Sequence, residues 1–498
     1  MKKRLIALLS CFLIFSMTAC GTGGDSIIPE TTEGFEESNT KTTESDSTTE
    51  SSKESETEGT ETPDVPKEIK MNEQDLKNAI DYLKKCYVEK KLTYAAFAVG
   101  NRSGEFFHWS LEETTTDETL FDMASLTKVT VVAPLFFAAQ QEGLLHWNDT
   151  LDTHVEAPAD KAKITLAQLL SHTSGFSNFN VSDKVTDPDK AIDAILARTL
   201  YYEPGSKSYY SCNNYILLGH ILEKTYGKSL DVLFEEKIAP ALNMNHSGYK
   251  LFEITSNIAK HQKNANRVND ADAHFLNDVA GNAGLFSNIV DMSAYAVELS
   301  KGFPSLVSPE LFEEALTPYT STRCIGFNLV SKTASGSNIF PAGSYGHTGH
   351  TGQSVFVDRE SGFWIVLLTN ARYHISSDDV KALRGEFYAE LAKDILSYQA
   401  GITLASTSVT ITEPSTGTTT KKHFVSVHEI ANGSLTDGIL QVGDIILSIT
   451  VNGKTTEILE KKHVIHPLLP VQVGDEVTFL IMRNGKEIAV SIPSNRGT

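Results

Sequence analysis

The stretch Phe121-Asp-Met-Ala-Ser-Leu-Thr-Lys-Val129 places a serine three positions before a lysine in an apolar context. Residues three apart on a helix share one face about one turn apart, so Ser125 and Lys128 are predicted to lie side by side. A serine hydroxyl is a weak nucleophile at neutral pH, and a desolvated lysine whose pKa has fallen can take its proton. The stretch therefore indicates nucleophilic chemistry, although an ordinary exposed helix can carry the same four-residue pattern.

Three further motifs follow along the chain: Leu169-Leu-Ser-His-Thr-Ser-Gly175, Tyr210-Ser-Cys-Asn-Asn-Tyr-Ile-Leu-Leu-Gly219 and Gly346-His-Thr-Gly-His-Thr-Gly352. Together with the Ser-x-x-Lys stretch, their order and spacing resemble the class C β-lactamase and DD-peptidase-like serine hydrolases, a penicillin-binding-protein-like family. The resemblance covers nearly all of residues 90–395. It implies a mixed α/β fold, in which helices flank an antiparallel sheet and a helical subdomain is added.

The resemblance also implies catalytic roles for three residues. Ser125 would be the acylated nucleophile, Lys128 would lower the barrier to its deprotonation, and Tyr210 would shuttle the proton to the leaving group. A phenol needs a nearby cation for this work, and Lys128 would supply it. The implied mechanism uses no cofactor and no metal.

The third motif supplies the implied substrate-binding edge. His347, Thr348 and Gly349 would line the edge strand of the sheet, and Thr348 would hydrogen-bond a substrate carbonyl or carboxylate. The backbone N–H groups of Ser125 and His350 would form the oxyanion hole.

Two positions depart from the family pattern. Cys212 stands where an Asn or Asp usually orients the lysine or the substrate, and Asn213 or Asn214 is expected to reach in instead. His347 stands where β-lactamases of this branch carry lysine, and a histidine is largely neutral at pH 7. We therefore expect weak or absent β-lactamase activity. His172 is interpreted as a structural residue that caps a turn.

The first twenty residues have the features of a targeting segment. Basic residues 2–4 precede an apolar run over 5–15, and small residues lead to Cys20. Residues 1–20 are thus predicted to be a bacterial lipoprotein signal peptide that leaves Cys20 lipidated. The alternative is an ordinary signal peptide with an incidental cysteine. Either way the protein is expected outside the cytoplasm, and lipidation would anchor it to the cell membrane.

Residues 21–70 contain 14 acidic and 4 basic residues among many Thr, Ser and Gly. Such a composition cannot bury a core, so we expect a disordered tether. The whole chain has 498 residues and a net charge of −20, without a Lys/Arg-rich cluster. We therefore do not expect the protein to bind nucleic acid.

Hydrophobic periodicity predicts one large mixed α/β domain over residues 71–399, and the resemblance implies that this domain is the hydrolase. The expected elements are a helix over 73–90, a hairpin over 94–110, a helix from Ser125 to about 142, strands within 340–370 and a final helix over 378–398. Cys86, Cys212 and Cys324 lack metal-ligand spacing, and no disulfide is expected among them.

Residues 400–498 form a separate predicted unit that resembles a bacterial PDZ domain. Glycine-centred turns separate short apolar runs, and Asn484-Gly485 is a strong hairpin signal. Residues 406–420 show no clear periodicity. PDZ domains bind extended peptide termini by strand addition. The alternative is a small β domain that packs on the hydrolase and binds nothing.

The sequence thus indicates an extracytoplasmic serine hydrolase acting through an acyl-enzyme. The expected substrate is a D-amino-acid-containing peptide or amide of cell-wall type, peptidoglycan included, or a carboxylic ester. Two alternatives remain: a β-lactamase proper, and a catalytically silent lipoprotein that binds peptidoglycan or peptide.

Overall fold

The computed structural model describes residues 71–261, 267–331, 336–412, 419–468, 471 and 474–493. The predicted signal peptide 1–20, with Cys20, and the predicted tether 21–70 lie outside these residues. Across the described part of the chain, no helix combines the length and the apolar character that crossing a lipid bilayer requires.

Strands are present in both the predicted hydrolase region and the C-terminal region. In chain order they are β1 (Ala95–Asn101), β2 (Gly104–Ser110), β3 (Phe121–Asp122), β4 (Gly248–Tyr249), β5 (Leu285–Ser287), β6 (Asn328–Leu329), β7 (Tyr345–Thr348), β8 (Ser354–Val357), β9 (Trp364–Thr369), β10 (Ile402–Thr412), β11 (Thr419–Ile430), β12 (Ile445–Val451), β13 (Lys454–Glu457), β14 (Val477–Arg483) and β15 (Lys486–Ile492).

The helices lie mostly between the first and last strands of the hydrolase region. In chain order they are α1 (Lys77–Val88), α2 (Ala133–Gln141), α3 (Leu166–Leu170), α4 (Ala191–Leu196), α5 (Cys212–Tyr226), α6 (Leu230–Leu233), α7 (Ala239–Leu242), α8 (Ala271–Phe275), α9 (Ile289–Lys301), α10 (Pro309–Ala315), α11 (Ser377–Ala400) and α12 (Lys462–Leu468).

A central antiparallel sheet with the strand order β2-β1-β9-β8-β7-β6 separates two apolar cores. Alternate residues of β1 point to opposite faces. Ala96 and Ala98 pack with α9 on one side, whereas Phe97 and Val99 pack with α1 and α11 on the other. Because helices cover both faces, β1 is a continuous apolar strand, and the mixed α/β prediction is confirmed.

The predicted hairpin and terminal helices are confirmed, with shifted ends. Strands β1 and β2 pair antiparallel around the turn between Asn101 and Gly104. The first helix begins at Lys77 rather than 73. The last helix begins after Ser376, whose side chain accepts a hydrogen bond from the backbone N–H of Asp379, and ends at Gly401 with a φ of 65°.

The predicted helix from Ser125 to about residue 142 is not regular. A 3₁₀ turn over Ala124–Leu126 leads into a wider π turn over Lys128–Val132 before α2 begins. Pro134 has no backbone N–H to donate to the carbonyl of an earlier residue, as a regular helix requires. In addition, the hydroxyl of Thr130 donates to the carbonyl of Leu126 at 2.8 Å. These features account for the departure, and such turns are frequent at functional sites.

The C-terminal region forms a second antiparallel sheet, in which β10, β11, β12, β14 and β15 are neighbours in that order and β13 pairs with β12. The stretch 406–420, which shows no periodicity in sequence, belongs largely to β10 and β11, which pair from Ile402↔Ile430 to Thr412↔Thr419. Its β-branched residues favour strands, but threonine and serine give no apolar alternation to detect.

The second sheet shares an apolar core with α11. Leu391 and Ile395 of the helix belong to the same buried cluster as Val427 and Ile446 of the sheet. Only Gly401 separates the end of α11 from the start of β10. The helix and the strand are therefore joined through a single residue.

Candidate active site

Ser125 lies at a strained turn directly after β3. Ala124 has a φ of 46°, which is uncommon for a residue other than glycine, and its N–H donates to the Asp122 carboxylate at 2.8 Å. Every residue from Phe121 to Ala139 is buried except Ser125, which is partly exposed. The turn therefore presents this one hydroxyl to solvent from an otherwise buried segment.

Three functional groups meet at Ser125, and one of them, the phenol of Tyr210, comes from a distant part of the sequence. The hydroxyl oxygen of Ser125 lies 2.7 Å from the phenolic oxygen of Tyr210. The Nζ atom of Lys128 donates to the same hydroxyl oxygen at 3.1 Å. The serine oxygen thus lies within hydrogen-bonding distance of both a phenol and an amine.

The amine of Lys128 is fully buried and held by several groups. Its Nζ atom donates to the backbone carbonyl of Asn282 at 2.7 Å and lies 3.6 Å from the Sγ atom of Cys212. It also lies 5.3 Å and 5.7 Å from the ring centroids of Tyr210 and Tyr215. Carbonyl, hydroxyl and ring faces all favour an ammonium ion over a neutral amine.

The direction of the Lys128 pKa corrects the sequence-based expectation. Burial lowers this pKa, but the charges that Cys212 and Tyr210 acquire on ionisation raise it, and the net direction is upward. This direction is opposite to the lowered pKa expected from the sequence, because it depends on the ionisable neighbours of the amine and not on burial alone. As an ammonium ion, Lys128 donates hydrogen bonds to Ser125 and Asn282 and can stabilise negative charge.

Tyr210 is also protonated at rest. Burial and the nearby Cys212 raise the pKa of Tyr210 to about 12, and Lys128 acts in the opposite direction. The ring of His172 lies 4.6 Å from that of Tyr210, and its Nδ1 atom accepts a hydrogen bond from the backbone N–H of Ser211 at 3.2 Å. His172 therefore holds the segment that carries the phenol.

The carbonyl that holds Lys128 was not identified from the sequence. It belongs to Asn282, in a loop that approaches α5 so closely that a Cβ atom on Gly281 would lie 2.1 Å from the carbonyl oxygen of Tyr215. Only glycine fits there. The resemblance covers this loop, but a main-chain acceptor has no side-chain signature.

His347 lies on strand β7 at the edge of the site, and its imidazole is neutral. It is buried, with an Nδ1 atom 2.9 Å from the carbonyl oxygen of Thr348 and an Nε2 atom that has no partner among the described residues. Burial, then the charges of Arg323 and Lys128, hold the pKa of His347 well below its usual range. This histidine therefore supplies no positive charge at neutral pH.

The turn after β7 approaches the segment just before Ser125. The hydroxyl of Thr351 donates to the carbonyl of Asp122 at 2.9 Å, and a Cβ atom on Gly349 would lie 2.7 Å from the carbonyl oxygen of Met123. The backbone N–H of His350 donates to no other group in the described residues. This free N–H is therefore available near Ser125.

Arg323 is a site residue that the sequence did not reveal. Its guanidinium carbon lies 5.8 Å from the ring centroid of Tyr210, and its buried Nε atom has no hydrogen-bond partner among the residues described. A single arginine in a polar loop carries no recognisable motif. In the folded protein its charge, with that of Lys128, lowers the pKa of His347.

Cys212 and the two asparagines that follow it differ in position. Cys212 lies at the site, partly exposed, and its Sγ atom is 3.8 Å from the Tyr210 hydroxyl. Asn213 is fully buried, and its amide donates to the carbonyl of Ser177 at 2.9 Å. Asn214 is likewise buried, against Ser174. Neither asparagine faces the site, so the expected replacement for the missing Asn or Asp is absent there.

Metal-ligating side chains do not gather at this site. Among the described residues, no group of three or more His, Cys, Asp or Glu side chains is placed to hold a metal ion. Cys86 and Cys324 are buried free thiols away from the Ser125 hydroxyl.

Comparisons with known proteins agree with this architecture. A protein of Escherichia coli O157:H7 named "Putative D-alanyl-D-alanine carboxypeptidase" is 29% identical over 313 residues, which are 53% of this chain and 72% of that protein. The N-acetylmuramyl-L-alanine amidase of Bacillus subtilis strain 168 is 29% identical over 304 residues, 51% of this chain and 68% of the relative.

Solved structures show the same fold. The β-lactamase/D-alanine carboxypeptidase from Pseudomonas syringae aligns with a TM-score of 0.51 at 19% identity, covering 64% of this chain and 99% of its own. The octameric penicillin-binding protein homologue from Pyrococcus abyssi aligns with a TM-score of 0.52 at 18% identity, covering 83% and 95%. The Beta-lactamase family model matches residues 84–390, more than half of the sequence. The chain therefore belongs to the beta-lactamase family, with the fold and relatives of a serine hydrolase.

Proposed function

We propose that this protein hydrolyses a cell-wall type peptide ending in a D-amino acid, through an acyl-enzyme on Ser125. The observation that carries the proposal is the contact of the Ser125 hydroxyl with both Tyr210, at 2.7 Å, and Lys128, at 3.1 Å. A nucleophile within reach of a proton acceptor and a fixed cation is the arrangement that acyl transfer needs.

In the first half-reaction, the Ser125 oxygen attacks the substrate carbonyl while its proton passes to the Tyr210 oxygen. This transfer requires that the cluster has first lost one proton, since phenol and ammonium are both protonated at rest. Lys128 stabilises the resulting negative charge. The N–H groups of Ser125 and His350 would hold the oxyanion.

Collapse of the tetrahedral intermediate breaks the carbonyl–nitrogen bond, and Tyr210 returns its proton to the leaving amine. Water then attacks the serine ester and gives a proton to Tyr210, which passes it to the Ser125 oxygen as the carbon–oxygen bond breaks and the acid leaves. The positions of the three groups supply orientation, which removes much of the entropic cost of bringing them together.

Arg323 favours a substrate with a free carboxylate beside the scissile bond. His347 is neutral, so it cannot balance a substrate carboxylate, whereas the guanidinium of Arg323 lies against Tyr210 with an unpartnered Nε atom. Arginine binds carboxylates through charge-assisted hydrogen bonds. The name of the Escherichia coli relative points the same way. Thr348 would hydrogen-bond the same substrate group.

The purified full-length protein tests this proposal directly. We expect release of D-alanine from a peptide ending in D-Ala-D-Ala, slower hydrolysis of cephalosporins, and labelling by a fluorescent penicillin that Ser125→Ala abolishes. Cephalosporin turnover that exceeds turnover of the peptide would instead favour a β-lactamase proper. Absence of labelling and of turnover would favour a silent binder.

We also propose that the enzyme works outside the cytoplasm, anchored by a lipid on Cys20. The support is the sequence of residues 1–20 and the cell-wall names of two relatives. Metabolic labelling with a palmitate analogue checks this point. We expect labelled wild-type protein and unlabelled Cys20→Ser, and label on both would contradict the assignment.

Residues 400–498 are proposed to be a PDZ-like module that binds peptide. The support is the antiparallel sheet with β10 at its outer edge, paired only with β11 in the described part of the chain. An edge strand can accept an added strand from a partner. Direct binding of a peptide with a free carboxyl terminus to the full-length protein tests this assignment.

A further inference from the structure

Asn282, whose carbonyl holds Lys128, lies in a loop with a glycine on each side. Gly281 precedes it directly, and Gly284, with a φ of 127°, follows two residues later. Glycine restricts the backbone less than any other residue. The contact of Gly281 with α5 fixes one side of the loop, and a second contact is needed to keep the Asn282 carbonyl 2.7 Å from the Nζ atom of Lys128.

The side chain of Asn282 supplies this second contact. It is fully buried, and its amide nitrogen donates to the Oδ1 atom of Asp270 at 3.0 Å. Its amide oxygen has no hydrogen-bond partner among the described residues. Without Asp270, both ends of a buried amide would lack a partner, and the cost of that state favours another conformation of the loop.

Asp270 is itself held in place because it caps α8. Its Oδ1 atom also accepts hydrogen bonds from the backbone N–H groups of Asp272, at 3.1 Å, and Ala273, at 2.9 Å. These bonds fix the carboxylate at the start of the helix. The acceptor that meets the Asn282 amide therefore has little freedom of its own.

The segment before α8 is also joined to the turn that presents Ser125. The backbone N–H of Asn269 donates to the Asp122 carboxylate at 2.7 Å, and the same carboxylate accepts from the N–H of Ala124 at 2.8 Å. The Nε2 atom of His261, which is buried, lies 3.6 Å from it. Residues 269 and 270 thus contact the serine side and the lysine side of the site in succession.

The charge of Asp270 acts on the same amine. Burial lowers the pKa of Lys128, whereas charge on Cys212, Tyr210 and Asp270 raises it. The ionisable groups around the amine come from several elements: Tyr210, Cys212 and Tyr215 at the start of α5, His172 after α3, His347 on β7 and Asp270 before α8. Asp270 brings a carboxylate to this set.

We propose that Asp270 and the side chain of Asn282 are positioning residues for Lys128. The carboxylate fixes the amide, and the amide fixes the carbonyl that holds the ammonium ion beside Ser125. The placement of the amine does not depend on the proposed hydrolase function, whereas its effect on acylation rests on that function. Small displacements of catalytic groups cause large losses of rate, so the contact at Asn282 matters for acylation.

Two alanine substitutions in the full-length protein test this series of contacts. Asp270→Ala and Asn282→Ala should each lower the rate of Ser125 labelling by fluorescent penicillin about 10- to 100-fold. Because both remove the same link, the double variant should be no slower than the slower single variant. Asp270→Asn keeps an acceptor for the amide and a cap for α8, so most of the rate should return.

The pH profile supplies a readout that a merely structural role would not move. Asp270→Asn removes a negative charge that, against the effect of burial, raises the pKa of Lys128. The amine then loses its proton at lower pH, and we expect the rise of the labelling rate with pH to begin about half a pH unit lower than in the wild type. Asp272→Asn is the matched control, since this carboxylate of α8 accepts instead from the backbone N–H of Ser182 at 3.0 Å. Its rate and profile should equal those of the wild type.

A crystal structure of Asp270→Ala separates this proposal from the proposed function. We expect the carbonyl oxygen of Asn282 to lie beyond hydrogen-bonding distance of the Lys128 Nζ atom, and Asp272→Asn to keep the contact. A carbonyl that stays in place, or wild-type labelling by Asp270→Ala with an unshifted profile in Asp270→Asn, would overturn the positioning role. If the carbonyl moves but the wild-type protein is never labelled, the proposed hydrolase fails and the positioning role stands.

Discussion

The Ser125 site and a cavity of about 650 Å3, which lies where α11, β10, β11 and α12 meet, are built on different principles. At Ser125, two polar atoms from Tyr210 and Lys128 lie within 3.1 Å of one oxygen, and the lysine is fully buried. At the cavity, the wall is apolar and the charged groups are long, flexible side chains. Acyl transfer needs particular atoms at particular distances, whereas binding an extended chain needs shape and an open edge.

The largest effect is expected from removing one atom that contacts the Ser125 hydroxyl, the phenolic oxygen of Tyr210. Tyr210→Phe removes one oxygen and leaves the ring in contact with that of His172. Because the phenol is the nearest proton acceptor, we expect acylation by fluorescent penicillin to fall by on the order of 10²–10⁴-fold with the fold retained. Lys128→Met should have a similar effect.

Tyr209→Phe is the matched control, since this neighbouring tyrosine is 40% exposed and its hydroxyl has no partner among the described residues. Its rate of acylation should equal that of the wild type. A near-normal rate in Tyr210→Phe would show that the site does not depend on the phenol.

The charge of Arg323, near His347, allows binding of the substrate carboxylate to be tested separately from acyl transfer. Arg323→Met should lower kcat/KM for a D-Ala-D-Ala peptide by roughly 10–100-fold, because a hydrogen bond to a charged group is worth about 1.5–3 kcal/mol. Hydrolysis of a neutral ester should hardly change. Arg359→Met, which removes a partly exposed arginine paired with Glu313, is the control. An equal loss on both substrates would assign Arg323 to packing instead.

The pH dependence of acylation follows from the raised pKa values of Lys128 and Tyr210. A raised pKa means that the proton is lost only as pH rises, so the active, singly deprotonated cluster is scarce near neutrality. We expect the rate to climb about tenfold per pH unit between about pH 7 and about pH 9. Stopped-flow labelling measures it. A rate that is flat or falls over this range would contradict the assigned protonation states.

The smallest effect is expected at an exposed ion pair between the two sheets. Lys454 contacts Glu360, and their side chains are 69% and 74% exposed. Exposed pairs contribute about 0–1 kcal/mol, so Lys454→Ala should change the free energy of unfolding in urea by less than about 1 kcal/mol. A larger loss would mean that this pair, rather than the apolar core shared with α11, joins the sheet to the hydrolase region.

Sequence could predict the Ser125 cluster better than the cavity, for a physical reason. Ser125, Lys128 and Tyr210 carry reactive side chains in spaced motifs, so their types and intervals identify them. The carbonyl of Asn282 and the isolated Arg323 reach the site only through tertiary packing. The direction of the Lys128 pKa likewise depends on which charges surround it, and these are known only once the chain has folded.

The strands β10 and β11 illustrate the same limit in the fold. Their threonine-rich residues lack the apolar alternation that revealed β1 and β2, although their β-branched side chains suit a strand. The cavity then arises where α11, β10, β11 and α12 meet, and no local pattern encodes that meeting.

Mass spectrometry of the trapped acyl-enzyme is the most direct measurement of the central claim. After brief incubation with a slowly released penicillin and acid quenching, proteolysis should place the added mass on the peptide containing Ser125. The adduct should be absent in Ser125→Ala and much reduced in Tyr210→Phe. An adduct on another residue, or one that forms equally in Ser125→Ala, would contradict the role assigned to this hydroxyl.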